Sequence, residues 1–156
     1  MTNYDWNNFL DFSSWLLGFS GSSKPDDETI SRVAISRAYY AAYHAAKDYL
    51  TRKGYDKEIY AGGEHEIVCK TLKEMNKGDK QHKASCRSIG NNLTILKKER
   101  HKCDYNSNES ISLKNAQQSC GKALNIIQAI AKLLFSSPPP GGLFYFPRNC
   151  YNKKAD

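Results

Sequence analysis

One segment limits the choice of fold more than any other. Opening within Ser22 to Glu28 and running to Arg52-Lys53-Gly54, the chain reads as a single helix of about 27 residues, roughly 40 Å long at 1.5 Å per residue. Ser22 to Glu28 supply a candidate cap, a proline suited to a first turn, and three acids at the positive end of the helix dipole. Arg52-Lys53-Gly54 supply a basic last turn and a stop glycine. Two apolar rows run along the middle. Ala34, Ala38, Ala41 and Ala45 form a smooth ridge, and Ile35, Tyr39, Ala42 and Ala46 a second row. A helix apolar on more than one face has to be surrounded by others, so this is the central helix of a bundle.

The remaining segments supply those neighbours. Trp6, Phe9, Leu10, Leu16 and Leu17 share a face at helical spacing and predict a first helix over Tyr4 to Leu17. Gly54 to Gly63 reads as a loop. His65, Val68, Leu72 and Met75 predict a third helix over Glu64 to Met75, and a fourth follows over Lys80 to Lys102. A fifth spans Ser110 to Phe135, with Leu113, Ala116, Cys120, Leu124, Ile127, Ile130 or Ala131, and Leu134 as its inner stripe. No strand alternation and no repeat emerges. The expected fold is all-α, a four- to five-helix up-and-down bundle over residues 1–136. Ser136 to Gly142 end the last helix in a Pro/Gly linker. Residues 137–156 form that linker and an aromatic-basic tail, suited either to disorder or to docking on a partner. A central helix with two apolar faces needs more cover than four short neighbours offer, so a homodimer is expected.

The formal net charge is +7, which favours an anionic partner such as nucleic acid or a membrane surface. From Lys77 to Lys102 stand eight basic residues against two acids, whereas the first 29 residues carry five acids against one lysine. No stretch approaches the ~18 apolar residues that cross a bilayer. Met1 to Trp15 has neither the basic start nor the apolar run of a signal peptide. The expected location is cytoplasmic, away from any membrane. Five cysteines, an odd number without a C-x-x-C pair, read as free thiols, and no metal or cofactor is expected.

The chemistry concentrates on helix four. Cys86, Ile89, Leu93, Leu96, Arg100 and Cys103 follow alternating spacings of three and four, which puts Arg100 on the apolar stripe. A buried guanidinium is costly unless it is paired or faces a polar cleft. Either a carboxylate such as Asp104 pairs with it, or Arg100 lines an anion site beside His101, Lys102 and Tyr105. Arg37 and His44, two turns apart, share a face of helix two. They read either as a buried polar anchor with a core histidine, or as contacts for RNA. His65 reads as a packing residue at a helix start, and Tyr39, Tyr40 and Tyr43 as core and interface. The lysines of helix four are a solvated face or part of an RNA contact.

The segments Ser36-Arg37-Ala38-Tyr39-Tyr40-Ala41-Ala42-Tyr43-His44-Ala45-Ala46 and Leu96-Lys97-Lys98-Glu99-Arg100-His101-Lys102-Cys103-Asp104-Tyr105 resemble the HEPN family, in its branch of small prokaryotic helical proteins. The likeness covers residues 4–136. It implies a dimeric helical bundle with a cleft on the two-fold axis, and metal-independent RNA cleavage in which histidine moves protons and arginine stabilises the phosphorane. Nuclease members carry arginine, a polar residue, three variable residues, then histidine. Arg100 and His101 fit the first two positions, and Tyr105 stands where the histidine belongs.

Tyrosine titrates near 10, so it is a poor base at neutral pH, and loss of acid–base help typically costs about 100- to 10,000-fold. One residue along a helix is a rotation of about 100°, so His101 could substitute only if the helix ended there, which Asp104-Tyr105-Asn106-Ser107 allows. The expected function is RNA binding, with Arg100, His101 and Tyr105 as the candidate catalytic set. Lys97, Lys98, Lys102, Arg37 and His44 are the expected RNA contacts. Binding without turnover ranks above an endoribonuclease. The resemblance places the protein as toxin or effector of a toxin–antitoxin or defence system, beside a cognate antitoxin. The alternative is a non-catalytic nucleotide-binding or adaptor module paired with a nucleotidyltransferase.

Overall fold

Asp26 sets where the long helix starts. Its side chain accepts a 2.6 Å hydrogen bond from the Thr29 amide, satisfying one of the free donors of the first turn. Pro25 therefore sits just outside the cap. The helix, α2, runs Asp27–Arg52, and Gly54, at φ +80°, turns the chain away from it. The computed structural model describes residues 7–18, 23–55 and 63–135. Within them α2 is joined by α1 (Asn7–Leu16), α3 (Glu64–Lys73), α4 (Lys80–Tyr105) and α5 (Leu113–Phe135). The fold is all-α, with no strand among the described residues. The predicted helix start at Tyr4, Trp6, the side chain of Phe9, and the linker and tail over 137–156 lie outside what is described.

Cross-helix contacts give the directions. Arg32 near the start of α2 meets Cys103 at the end of α4, and Tyr49 near the end of α2 meets His82 and Cys86 at the start of α4. The two long helices are therefore antiparallel. Glu64 and His65 at the start of α3 meet Tyr43 and Tyr39, while Tyr55, just past α2, meets Met75, just past α3. Thus α3 runs parallel to the second half of α2. Gly90 lets α4 approach α3. A Cβ there would stand 3.0 Å from the Cys69 carbonyl oxygen and 3.1 Å from Leu72 Cβ.

The core lies between α2, α3, α4 and α5. Tyr39, Ala42, Ala46, Tyr49 and Leu50 meet Val68 and Leu72, Cys86, Ile89, Leu93 and Leu96, and Ala123, Ile126 and Ile130. A smaller cluster of Ile35, Cys103, Ile111 and Ala116 closes the other end. Of the two rows on α2, the one through Ile35, Tyr39, Ala42 and Ala46 is fully buried; Ala41 on the alanine ridge is exposed.

Two apolar stripes differ from their predicted orientation. On α5 the buried row is Ala116, Ser119, Ala123, Ile126 and Ile130, whereas Leu113 and Leu124 are 50% and 43% exposed. Two apolar rows overlap there, and the one with smaller side chains faces the alanine-rich α2, where helices can pack closely. On α1, Leu10, Leu16 and Leu17 point outward, because α1 packs against α2 alone among the described helices. Cys69, Cys86, Cys103 and Cys120 are free thiols. Burial raises the thiols, that of Cys103 to about 12, so they stay protonated and unreactive. No helix among the described residues is long and apolar enough to cross a membrane.

Candidate functional site

Arg32 holds the end of α4 in place. Its side chain is fully buried and points at carbonyls that the last turn of a helix leaves without partners. Nη1 donates to the carbonyls of Cys103 at 3.0 Å and Asn106 at 3.1 Å, and Nη2 donates to that of Glu109 at 2.5 Å. Glu28, one turn earlier, takes the charge at 2.8 Å. The sequence offered Arg37 as a buried polar anchor. That role belongs to Arg32, which extends the core row of Ile35, Tyr39 and Ala42 by one turn.

The fixed end of α4 carries Arg100, Asp104 and Tyr105. α4 runs through His101 and ends at Tyr105, within the stretch Asp104 to Ser107, and His101 follows Arg100 by about 100° around the helix. His101 is exposed, and its ring lies 5.0 Å from that of Tyr105. Arg100 is half-buried and has the carboxylate of Asp104 beside it. Its Nε stands 2.6 Å from Asp104 Oδ2, close enough for an ion pair, although the N–H points off that line and makes no well-formed hydrogen bond. Nη2 donates to the Tyr40 hydroxyl at 2.9 Å and, more weakly, to that of Tyr105 at 3.4 Å. Burial alone would make the guanidinium easier to deprotonate, but Asp104, Tyr40 and Tyr105 outweigh it and hold Arg100 firmly charged.

Tyr40 joins the two groups of candidates that the sequence kept apart. The guanidinium carbons of Arg37 and Arg100 lie 5.2 and 5.3 Å from its ring centroid, and His44 stacks on it at 6.3 Å. Arg37 and His44 are both exposed, so neither is a core residue. Arg37 has no carboxylate partner among the described residues. The lysines differ from one another. Lys97 is bound to Glu66 and Lys102 pairs with Glu109 at 3.2 Å, while Lys98 is exposed.

Behind Tyr40, His65 sits among Tyr39, Tyr40 and Tyr43, with its Nδ1 2.8 Å from the Tyr39 hydroxyl. Burial, then the charges of Arg100 and Lys97, push the His65 ring below its ordinary pKa. Burial raises Tyr39, which keeps its proton and can donate to that nitrogen. This is a structural pair, as the sequence expected of His65. Tyr39 and Tyr43 belong to the core, and Tyr40 alone of the three reaches the site.

Beside these residues a groove of about 600 Å³ opens between α1 and α2. Its walls are Phe12, Leu16 and Val33 on the apolar side and Ser13, Ser36, Arg37 and Asp104 on the polar side. Nothing in the sequence pointed to it, because three separate helices build it. The arrangement can hold an anion against arginine and a flat ring against tyrosine. Among the described residues, the carboxylate paired to Arg100 is that of Asp104. The chain matches no family model, no curated protein and no solved structure, so the reading of this face rests on its own residues.

Proposed function

We propose that the α2–α4 face binds single-stranded RNA, with phosphate held by Arg37 and Arg100 and a base stacked on Tyr40 or Tyr105. The observation that carries this reading is Tyr40 with two guanidinium groups beside its ring, of which that of Arg37 is exposed, has no carboxylate partner among the described residues, and lines the groove. Arginine planes and aromatic faces are what nucleic acid strands use when bases are splayed out. His44, His101, Lys98 and, after release from their acids, Lys97 and Lys102 extend the basic surface. On the HEPN resemblance the working unit is a homodimer and the cellular role that of a toxin or effector with a cognate partner.

Turnover ranks behind binding. Arg100 is paired to Asp104, and a tyrosine stands where the nuclease pattern has its histidine. The test is titration of labelled single-stranded RNA with metal chelator present. Affinity should fall steeply with salt, Arg37→Ala and Arg100→Ala should each weaken it about tenfold, and the RNA should remain intact. Absence of binding at low salt would reject the reading. Cyclic-phosphate products that vanish in Arg100→Ala would make the protein an endoribonuclease instead.

The exposed Leu10, Leu16 and Leu17 of α1 favour a second reading, an adaptor that docks a partner protein such as a nucleotidyltransferase. It predicts that serine at Leu10 and Leu17, which do not line the groove, abolishes partner capture and leaves RNA affinity unchanged.

A further inference from the structure

The groove beside Arg37 is walled on one side by hydrocarbon and on the other by Ser13, Ser36, Arg37 and Asp104. Its volume falls within the range of small-ligand sites. What it can select depends on how Asp104 is already used. Oδ2 faces Arg100 Nε at 2.6 Å and accepts from the Ser36 hydroxyl at 3.4 Å. Oδ1 has no partner among the described residues and keeps its lone pairs, and Asp104 lines the groove.

An ionised carboxylate only accepts hydrogen bonds. The four RNA bases present different edges to such a group. Guanine places two donors side by side, N1–H and the 2-amino group. Adenine and cytosine place a ring nitrogen lone pair next to their amino group, which a carboxylate repels. Uracil flanks its one N–H with two carbonyl oxygens. A carboxylate in an apolar-walled slot therefore favours guanine over the other three. Arg37, exposed at the same groove, is placed to hold the attached phosphate.

We propose that the groove between α1 and α2 is a base pocket selective for guanine, read by Asp104 with the base between Phe12 and Val33. This inference rests on the RNA-binding reading above and adds its sequence preference.

The test is fluorescence anisotropy with labelled hexanucleotides that differ at one position: six uridines, or five with a central guanosine, inosine or adenosine. The guanosine oligomer should bind about tenfold more tightly than hexauridylate, in the range of a good bidentate base contact. The inosine oligomer, which lacks the 2-amino group, should lose most of that gain. The ratio should return to one in Asp104→Asn, and also in Val33→Trp, which fills the groove from the wall that does not touch Arg100. Equal affinity of wild type for guanosine, adenosine and uridine oligomers would overturn the pocket while leaving RNA binding in place. No binding of any oligomer would overturn both.

Discussion

Arg32 is the residue on which the site's geometry depends most. A fully buried guanidinium survives only where every donor has a partner, and the carbonyls at the end of α4 supply them. Arg32→Met leaves those carbonyls buried without donors and Glu28 without its cation. Urea denaturation should register a loss of about 3 kcal/mol. Arg32→Lys should recover only part of it, because an ammonium cannot span three carbonyls with a planar fork. A methionine variant as stable as wild type would mean that water can cap α4 equally well. The position was legible in the sequence: Arg32, Ile35, Tyr39, Ala42 and Ala46 follow one row, and the reasoning that singled out Arg100 applies equally to Arg32. Tyr40 was harder to read, since a tyrosine between a buried row and an exposed ridge carries no sign of which arginines will flank it.

Between elements, close approach and buried protons decide the outcome. Gly90 and Gly121 both sit inside helices, where alanine is intrinsically favoured by about 1 kcal/mol. A methyl at Gly90 meets the backbone of α3, whereas nothing lies within 4 Å at Gly121. Gly90→Ala should therefore destabilise by about 1 kcal/mol, the helix gain offsetting part of an overpacking cost of about 1–3 kcal/mol. Gly121→Ala should stabilise by about 0.5–1 kcal/mol. Thermal melts of the pair check both signs. The contact between α2 and α3 carries a pH dependence. His65 is held below its ordinary pKa, so the unfolded chain takes up a proton first as pH falls. Its contribution to stability is complete above about pH 6.5 and is lost as pH drops from there through the folded value. His65→Gln should flatten the stability curve below about pH 6.5; an unchanged slope would remove His65 as its source. Element types and most boundaries followed from the sequence because caps and stop signals are local. The faces of α1 and α5 did not, because overlapping apolar rows leave the choice to the neighbours.

At the scale of the molecule, eight basic residues against two acids stand between Lys77 and Lys102, and the RNA-binding reading makes a specific claim about salt. Each phosphate contact on a single strand adds about 0.7 to the slope of log affinity against log salt. Arg37→Ala should lower that slope by about this amount, whereas an unchanged slope would remove Arg37 from the contact. The all-α class was readable from periodicity alone, but the groove was not, since Phe12, Val33 and Asp104 come from helices whose mutual placement no local pattern encodes. The fastening of α4 to the start of α2 has one further effect. Asp104 and Tyr105 stand in a last turn whose carbonyls are tied to the interior, so this turn cannot fray by itself. Deuterium uptake at the amides of Cys103 to Tyr105 should then occur only through global opening, and a ligand would find this part of its binding surface ordered before it arrives.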